Sequence, residues 1–226
     1  DGITREVEVV ANLYDEDGRT VVQCNVRDIS ERKRAELILR QNDERQTFLL
    51  KLTDAIQMIG DPLEVQTAAL RVLGEHLAVN RAYYNVIDEE QDTYEIYRTY
   101  ANGVAPLIGQ FRLSEVSYAA KTAGSGQIVV FDDASIDARM SEAERAAWAS
   151  MEVAAGVGVP LHKDGRWVAG LGVHSATPRR WTDEDIELIR ETAERTWAAV
   201  QQAQAETALQ SGAARDAFRV QLTDAL

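Results

Sequence analysis

Cysteine and histidine, the side chains behind most disulfides and metal sites, are nearly absent from this chain. Cys24 is the single cysteine among 226 residues, so no intrachain disulfide can form, which is typical of a reducing compartment. The three histidines lie far apart and give no metal-ligand spacing. The sequence also has no P-loop, no G-x-S-x-G and no H-E-x-x-H motif. We therefore expect the segment itself to be non-catalytic and to hold no metal.

Basic residues and long apolar runs are also scarce. There are 24 basic and 37 acidic residues, which gives a net charge of −13. Nucleic acids and anionic membrane surfaces are bound through basic faces, so neither is an expected partner. No apolar run approaches the roughly 20 residues that span a bilayer, and no signal peptide is found. We expect a cytoplasmic location.

One stretch of the chain occurs twice, at a spacing of 170 residues. Residues 45–56 read RQTFLLKLTDAI and residues 215–226 read RDAFRVQLTDAL. Nine of 23 aligned positions are identical between 34–56 and 204–226. A repeat at a fixed period indicates a modular chain. We expect a slice of a longer modular protein rather than a free-standing enzyme.

The first part of the chain predicts a hairpin followed by a long helix. Residues 5–13 and 20–29 are rich in valine, and the Asp-Glu-Asp-Gly sequence at 15–18 predicts a turn between two strands. Residues from about 31 to 59 contain no Gly or Pro and carry apolar residues at three- and four-residue spacings. This stripe allows two interpretations, a seam between the helices of a dimer or packing on the helix's own domain.

The remaining sequence alternates helical and strand-like patterns. The predicted elements are a helix at 63–77, strands at 81–88 and 93–101, a helix at 114–123, a short strand at 127–131, a helix from Ser141 to about Met151, strands at 153–161 and 166–175, and a last helix that starts after Thr182 and ends or kinks near 211–212.

The two strands at 153–161 and 166–175 each have one bulky face and one nearly bare face. Alternation places Trp167 on a bulky face with Ala169, and it places His174 on a bare face with glycines. A bare strand face indicates that something approaches closely, and both a helix and a ligand fit. His174 is therefore open to two readings, lining a pocket or serving a structural role.

The most specific stretch is V-A-A-G-V-G-V-P-L-x-K-D-G-R-W-V-A-G-L-G-V-H-S, followed by P-R-R-W-T-x-E-D. This stretch, and the order of elements over about 44–200, resemble GAF domains of bacterial sensor histidine kinases. The resemblance implies an α/β fold of the α+β type, with an antiparallel sheet of five to six strands and helices on both sides. It also implies long N- and C-terminal signalling helices.

A second resemblance concerns V-R-D-I-S-E-R-K-R-A-E at 26–36, which looks like the end of a PAS domain running into a signalling helix. The expected organisation is the C-terminal hairpin of a PAS domain at 1–30, a helical linker at 31–44, a GAF domain at 45–200, a helical linker at 201–214 and the start of a further module, a second GAF domain, at 215–226. The parent chain would then be a histidine protein kinase of a two-component phosphorelay, with its catalytic domain outside this segment.

The GAF resemblance implies that a small molecule binds in the domain's pocket and that the signal passes through dimeric helices. A parallel homodimer through 31–56 and 190–210 is the expected assembly. The residues expected at the pocket lie where GAF domains draw ligand contacts. They are Tyr100, Phe111, Tyr118, Asp133, Arg139, Trp148 and His174.

Two other functions remain open for the module, and one class of enzyme is excluded. The module could instead be a ligand-free structural and dimerisation unit, or a noncovalent bilin-type photosensor. His174 matches the place of a chromophore-contacting histidine in phytochromes, but the GAF region has no cysteine for covalent bilin attachment. A methionine sulfoxide reductase of GAF type would also need cysteines that this region lacks. No cofactor is evident, and its identity stays open.

Overall fold

The computed structural model describes residues 5–16 and 19–224 and divides into two compact units, Asp1–Leu49 and Leu50–Leu226. In the first unit, β1 (Val7–Glu16) pairs antiparallel with β2 (Arg19–Asp28). Residues 17 and 18, at the centre of the predicted turn, lie outside the described residues. Helix α1 (Ser30–Ile56) follows the hairpin, within the glycine-free stretch that predicts it.

Six antiparallel strands form the sheet of the second unit, in the order β5-β4-β3-β8-β7-β6. The strands are β3 (Arg81–Asp88), β4 (Thr93–Ala101), β5 (Gly109–Arg112), β6 (Val129–Phe131), β7 (Ala155–Lys163) and β8 (Arg166–Ser175). This sheet confirms the predicted α+β fold. The sequence analysis did not identify β5, because four residues are too few to show an alternating pattern.

Helices cover both faces of this sheet. α2 (Pro62–His76) and α5 (Asp183–Asp224) pack on one face, whereas a 3-10 turn (Leu113–Val116), α3 (Ser117–Gly124) and α4 (Glu142–Ser150) lie on the other. No helix in the described ranges has the length and apolarity needed to cross a bilayer.

α5 continues past residues 211–212, so one of the two predicted alternatives, an end there, is wrong, and the other, a kink, stays a prediction. The surrounding alanine and glutamine residues have high helix propensity, which offsets the low propensity of Gly212. Both copies of the repeat are helical as far as they are described. Ala225 and Leu226, at the end of the second copy, lie outside the described residues.

Local sequence explains where the helices begin. The Asp61 side chain accepts a hydrogen bond from Leu63 N at the start of α2, where Pro62 suits the first helical turn. At the start of α5, Thr182 Oγ1 accepts a hydrogen bond from Asp185 N, and Asp185 Oδ2 accepts one from Thr182 N. The helix therefore begins after Thr182, as the sequence predicts.

The P-R-R-W-T sequence ties the start of α5 to the rest of the second unit. The Trp181 indole donates to Phe131 O at 3.2 Å, at the end of β6. The Arg179 guanidinium lies 4.4 Å from the centre of the Trp181 ring and donates to Leu77 O, just after α2. These contacts hold α5 on its face of the sheet and leave the opposite face to α3 and α4.

Candidate functional site

The register of β3, β8, β7 and β6 places one set of side chains on the face of the sheet opposite α2 and α5. Tyr83 stands opposite Gly172, and Asn85 stands opposite Gly170. A Cβ atom built on Gly170 would lie 2.6 Å from Asn85 Oδ1, and one on Gly172 would overlap the Tyr83 ring. The bare strand faces are therefore filled by side chains of the neighbouring strand, and glycine is required for that close approach.

β4 contains a bulge at Tyr97. Tyr84 pairs with Arg98, whereas the next residue, Asn85, pairs with Ile96, which leaves Tyr97 as an extra residue. Because side chains alternate with a period of two, one extra residue exchanges the faces of all that follow. Residues that are an even number of positions apart across the bulge, which regular alternation would put on one face, thus lie on opposite faces of the sheet.

The bulge separates Tyr94 from Tyr100. Tyr94 lies on the side of α3 and α4, whereas Tyr100 packs over Gly74 of α2, where a Cβ atom would overlap its ring. The GAF resemblance implied that Tyr100 lies at the pocket. The structure places Tyr100 on the opposite face.

A second bulge, in β8, puts Trp167 on the face of the sheet opposite to the one that regular alternation predicts. Leu161 pairs with Ala169 but His162 pairs with Trp167, so Val168 is the extra residue. The Trp167 ring consequently lies near Gly124 of α3, and its indole donates to Ala169 O at 3.0 Å. The prediction that Trp167 shares a face with Ala169 is wrong, because strict alternation along the sequence does not reveal a bulge.

Between this face of the sheet and α3 and α4 lies a cavity of about 60 Å³, which we call the central cavity. Its lining contains no Asp, Glu, Lys or Arg. The lining residues are Tyr83, Asn85, Tyr94, Leu113, Val116, Ala119, Ala120, Ala123, Val129, Phe131, Trp148, Val157, Gly158, Val159, Pro160, Trp167, Gly170, Leu171 and His174.

Aromatic rings form much of the wall. The Trp148 ring of α4 meets the His174 ring edge-on, with centroids 5.4 Å apart, and lies 5.5 Å from the Phe131 ring. On its other side the His174 ring is 4.8 Å from that of Tyr83. The cavity therefore offers flat apolar surfaces with polar atoms at their edges.

Three polar atoms of the lining residues are buried and have no hydrogen-bond partner. They are Asn85 Oδ1, Trp148 Nε1 and His174 Nδ1. Most buried polar atoms in proteins are hydrogen-bonded, and those that are not call for a water, an ion or a functional explanation. Here three such atoms occur around one cavity, and they are the side-chain groups best able to bind a polar molecule there.

Burial holds these groups neutral. The pKa of His174 is lowered to about 3, mainly because burial disfavours the imidazolium and secondarily because of the Arg81 charge. Burial also raises the pKa of Tyr83 to about 12. The imidazole and the phenol therefore carry no charge near neutral pH.

Arg81 is a buried cation two residues before the lining residue Tyr83, but it does not itself line the central cavity. Its side chain is 2% exposed. The guanidinium donates twice to Ala105 O, at 3.2 and 2.7 Å, and once to Met151 O at 3.1 Å. No ion pair to Arg81 is found within the described part of the chain, so these carbonyl oxygens are its direct partners. Burial lowers the pKa of Arg81, and the charge of Glu152 opposes that shift.

A single carboxylate joins the two helices that close the central cavity. Glu144 is buried; it accepts from Tyr118 N of α3 at 2.6 Å and from Ser141 N at 3.2 Å. Ser141 Oγ in turn accepts from Glu144 N, which completes a capping box at the start of α4. One side chain therefore caps α3 and α4 together and sets their spacing over the sheet.

The seven residues expected at the pocket separate into groups. Trp148 and His174 line the central cavity, and Phe111 stacks on the lining residue Tyr94 with centroids 5.3 Å apart. Tyr118 packs against the same core with the Arg139 guanidinium 4.8 Å from its ring centre.

Asp133 and Arg139 belong to the loop before α4. Asp133 accepts from Ser135 N and Oγ, whereas Arg139 pairs with Asp137 and donates to Val130 O. Both residues order the loop, and neither lines the cavity. In the described ranges no group of three or more metal-binding side chains comes together.

Several lining residues that carry polar or aromatic groups were not predicted from the sequence. They are Tyr83, Asn85, Tyr94, Phe131 and Trp167. A signal for two of them was available, because glycines at 170 and 172 require large neighbours across the sheet. Finding Tyr83 and Asn85 would have needed the β3–β8 pairing, which a single sequence does not supply.

Comparison with protein-family models matches residues 61–200 to the family described as GAF domain. A search of curated proteins finds no significant match.

Solved structures with the same fold are numerous. A GAF domain from a phosphoenolpyruvate-protein phosphotransferase of Coxiella burnetii is 14% identical, with a TM-score of 0.59 over 73% of this chain and 97% of that one. A far-red-absorbing protein with bound biliverdin IXα is 15% identical, with a TM-score of 0.61 over 70% and 99%. The free methionine-R-sulfoxide reductase of Neisseria meningitidis is 16% identical, with a TM-score of 0.57 over 70% and 91%. At these identities the likeness concerns the fold alone.

Proposed function

Because this chain belongs to the GAF domain family, a family of sensory and regulatory modules, we propose that its central cavity binds a small molecule and thereby regulates an attached domain. The observation that carries this proposal is the set of three unpaired polar atoms around one cavity, on Asn85, Trp148 and His174. A ligand would supply the hydrogen bonds that the chain does not. Of the seven residues expected from sequence, Trp148 and His174 would contact it directly.

A structural change at the cavity would reach α5 through the sheet. β7 and β8 carry Gly156 and His174 on the cavity side and contact α5 on the other side. The Arg195 guanidinium of α5 also donates to Thr53 Oγ1 near the end of α1. A ligand shifts such a system only if it binds two arrangements of these helices with different affinity.

The wider context forms part of the same proposal. The module would belong to a bacterial two-component sensor histidine kinase, with the end of a PAS domain at 1–30 and a further GAF module beginning at 215. Support comes from the PAS-like sequence at 26–36 and from the repeated helical segment, whose two copies would mark equivalent junctions between modules.

Assembly through the flanking helices is a further part of the proposal. Leu37, Ile38 and Leu39 of α1 are 55, 58 and 71% exposed, which is unusual for three consecutive large apolar side chains. A second copy of this helix, packed in parallel, would cover the part of this surface that faces it, and the proposed dimer also pairs the 190–210 segments. The same exposure favours the alternative of a ligand-free dimerisation module, so a ligand must be sought directly.

A noncovalent bilin photosensor is the remaining alternative. One structure of the same fold holds biliverdin and another holds phycoerythrobilin. Against this reading stands the size of the central cavity, about 60 Å³. A tetrapyrrole is several times larger than this cavity.

Native mass spectrometry and an absorption spectrum of the purified chain test the proposal. We expect a co-purified organic molecule of low mass without absorption above about 500 nm, lost in Trp148→Phe but retained in the matched variant Trp197→Phe. Trp197 lies on α5 and does not line the central cavity. A mass equal to that of the bare chain, together with no ligand from a metabolite extract, would favour the dimerisation module; visible absorption would favour the photosensor.

A further inference from the structure

The face of the sheet that carries α2 and α5 has a groove of its own, with a volume of about 620 Å³. We call it the α2–α5 groove. Three strands and both helices line it, through residues that include Gln66, Tyr84, Val86, Tyr97, Val168 and Trp197. Small-molecule sites in proteins have volumes of about 300–1,000 Å³, so the groove has room for an organic ligand as it stands.

The two strand bulges shape the floor of this groove. Tyr97 is the extra residue of β4 and Val168 is the extra residue of β8, and these two strands pair with β3 on its two sides. Both extra residues line the groove. Between the bulged strands, Val86 of β3 is 40% exposed although β3 lies inside the sheet. Bulges often lie next to binding sites, where they redirect side chains, and here two of them border one groove.

Two buried polar atoms of the lining residues have no hydrogen-bond partner within the described part of the chain. They are Gln66 Oε1 and Tyr84 OH, on residues that are 3 and 1% exposed. Such atoms call for a water, an ion or a functional explanation. An amide oxygen can only accept, so Gln66 requires a donor, whereas the Tyr84 phenol can take either role. A ligand with an N–H group supplies what Gln66 Oε1 lacks.

Carboxylates outnumber cations in the lining. Asp88, Glu89 and Glu90 lie at the end of β3 and in the turn that follows, and the lining has one guanidinium, that of Arg166. Asp88 accepts two hydrogen bonds from Gln91, whereas Glu89 and Glu90 are exposed. The groove therefore favours a cation over an anion, by a margin that salt reduces.

Aromatic and aliphatic side chains provide the apolar surface of the groove. The Tyr97 hydroxyl donates to Glu95 Oε2 at 2.6 Å, which restrains its ring. The Lys163 ammonium lies 5.9 Å from the centre of the Trp197 ring, so this indole already has a cation at its face. Together with Val86, these rings offer contact to an apolar group that carries a positive charge.

From these features we infer that the α2–α5 groove binds a protonated organic amine with an aromatic or branched apolar body. Because α5 itself borders the groove, such a ligand would contact α5 directly, whereas the central cavity lies across the sheet from it. The groove is a second site, and binding there does not depend on the proposed function of the central cavity.

Nuclear magnetic resonance of the indole N–H groups tests the site. The chain has four tryptophans, and Trp197→Phe identifies the signal of Trp197. The probes are 2-phenylethylammonium, methylammonium, which lacks the apolar body, and 3-phenylpropionate, which carries a negative charge on a similar body. We expect 2-phenylethylammonium to move the Trp197 signal in a saturable way. The other two should each bind at least about fivefold more weakly, and added salt should reduce the difference between amine and carboxylate.

Variants separate the groove from the central cavity and from general damage. Gln66→Leu should weaken 2-phenylethylammonium about fivefold by removing the acceptor. Gln202→Leu, at an exposed position of α5, and Trp148→Phe, in the wall of the central cavity, should leave its affinity unchanged. Changing both Glu89 and Glu90 to Gln should bring the affinities of amine and carboxylate closer together. Thermal unfolding establishes that each variant is folded.

Three results would overturn the site: no saturable movement of the Trp197 signal, 3-phenylpropionate binding as tightly as the amine, or unchanged amine binding in Gln66→Leu. Movement of the Trp148 signal alone would place the amine in the central cavity, which would refute the groove site and leave the proposed sensing function intact. A Trp197 signal that moves with protein concentration and with no compound would show that a second copy of the chain covers the groove instead.

Discussion

Tyr83 of β3 lies directly over Gly172 of β8, and its ring occupies the space that any side chain at position 172 would need. The pairing explains why a strand in the middle of the sheet carries a glycine, which otherwise weakens strands. It also makes the position of Tyr83, and with it one wall of the central cavity, depend on the smallest residue of the opposing strand.

Replacing this glycine should displace the tyrosine ring. We expect Gly172→Ala to lower the free energy of unfolding by about 1–3 kcal/mol, because the new methyl group overpacks the Tyr83 ring. Gly158→Ala is the matched control on the same face, since its Cβ would meet Val129 Cβ at an ordinary 3.6 Å. Denaturant unfolding measures both variants. Equal losses in the two would show that the Tyr83 contact does not require glycine.

The buried imidazole of His174 should make stability depend on pH. The folded state keeps a pKa of about 3, whereas the unfolded chain binds a proton below about 6.5. The free energy of unfolding should therefore decrease as pH falls from 6.5 toward 3, by up to about 1.4 kcal/mol per pH unit from this group. Comparing pH profiles of the wild type and His174→Gln isolates that slope; parallel profiles would contradict the assignment.

Loss of the Glu144 carboxylate should loosen two helices at once. Glu144→Ala removes bonds to Tyr118 N and Ser141 N, and we expect a loss of about 2–3 kcal/mol. Glu142 is exposed in the same first turn of α4, so Glu142→Ala should cost no more than about 0.5 kcal/mol. Hydrogen exchange should show faster opening of both α3 and α4 in the first variant. Faster exchange in α4 alone would contradict the joint cap.

Dimerisation through α1 should respond to charge placed on its apolar stretch. We expect Ile38→Lys to raise the dimer dissociation constant at least about tenfold, since a buried ammonium without a partner opposes association. Ile136→Lys is the control, because Ile136 is 79% exposed in the loop before α4. Analytical ultracentrifugation over a concentration series compares them. A wild-type chain that stays monomeric at every concentration would refute the dimer itself.

Most of the secondary structure could be predicted from the sequence, because local signals determine it. Turn residues, caps such as Ser141 and Thr182, and hydrophobic periodicity identified the helices and five of the six strands of the second unit. For these elements the informative residues lie within a few positions of the structure that they determine. Trp148 and His174 were expected at the pocket from the GAF resemblance rather than from local signals, and both line the central cavity.

The remainder of the site depends on pairing between distant strands. The bulges at Tyr97 and Val168 arise from the register of β4 on β3 and of β8 on β7, and neither position has a bulge signal such as glycine. For this reason strict alternation placed Trp167 on the wrong face, and the position of Tyr100 on the α2 side of the sheet could not be predicted from the sequence. The unpaired polar atoms of Asn85 and Trp148 likewise become visible only once burial and geometry are known.

The bulge at Tyr97 also bears on how this domain can diversify. Deleting that one residue would restore regular pairing and leave Tyr94 opposite Ile87 and Tyr100 opposite Ala82, so each ring would keep its face of the sheet. The bulge therefore absorbs one residue of β4 without altering the wall of the cavity. Single-residue changes in length at this point of the strand can accumulate on an unaltered scaffold.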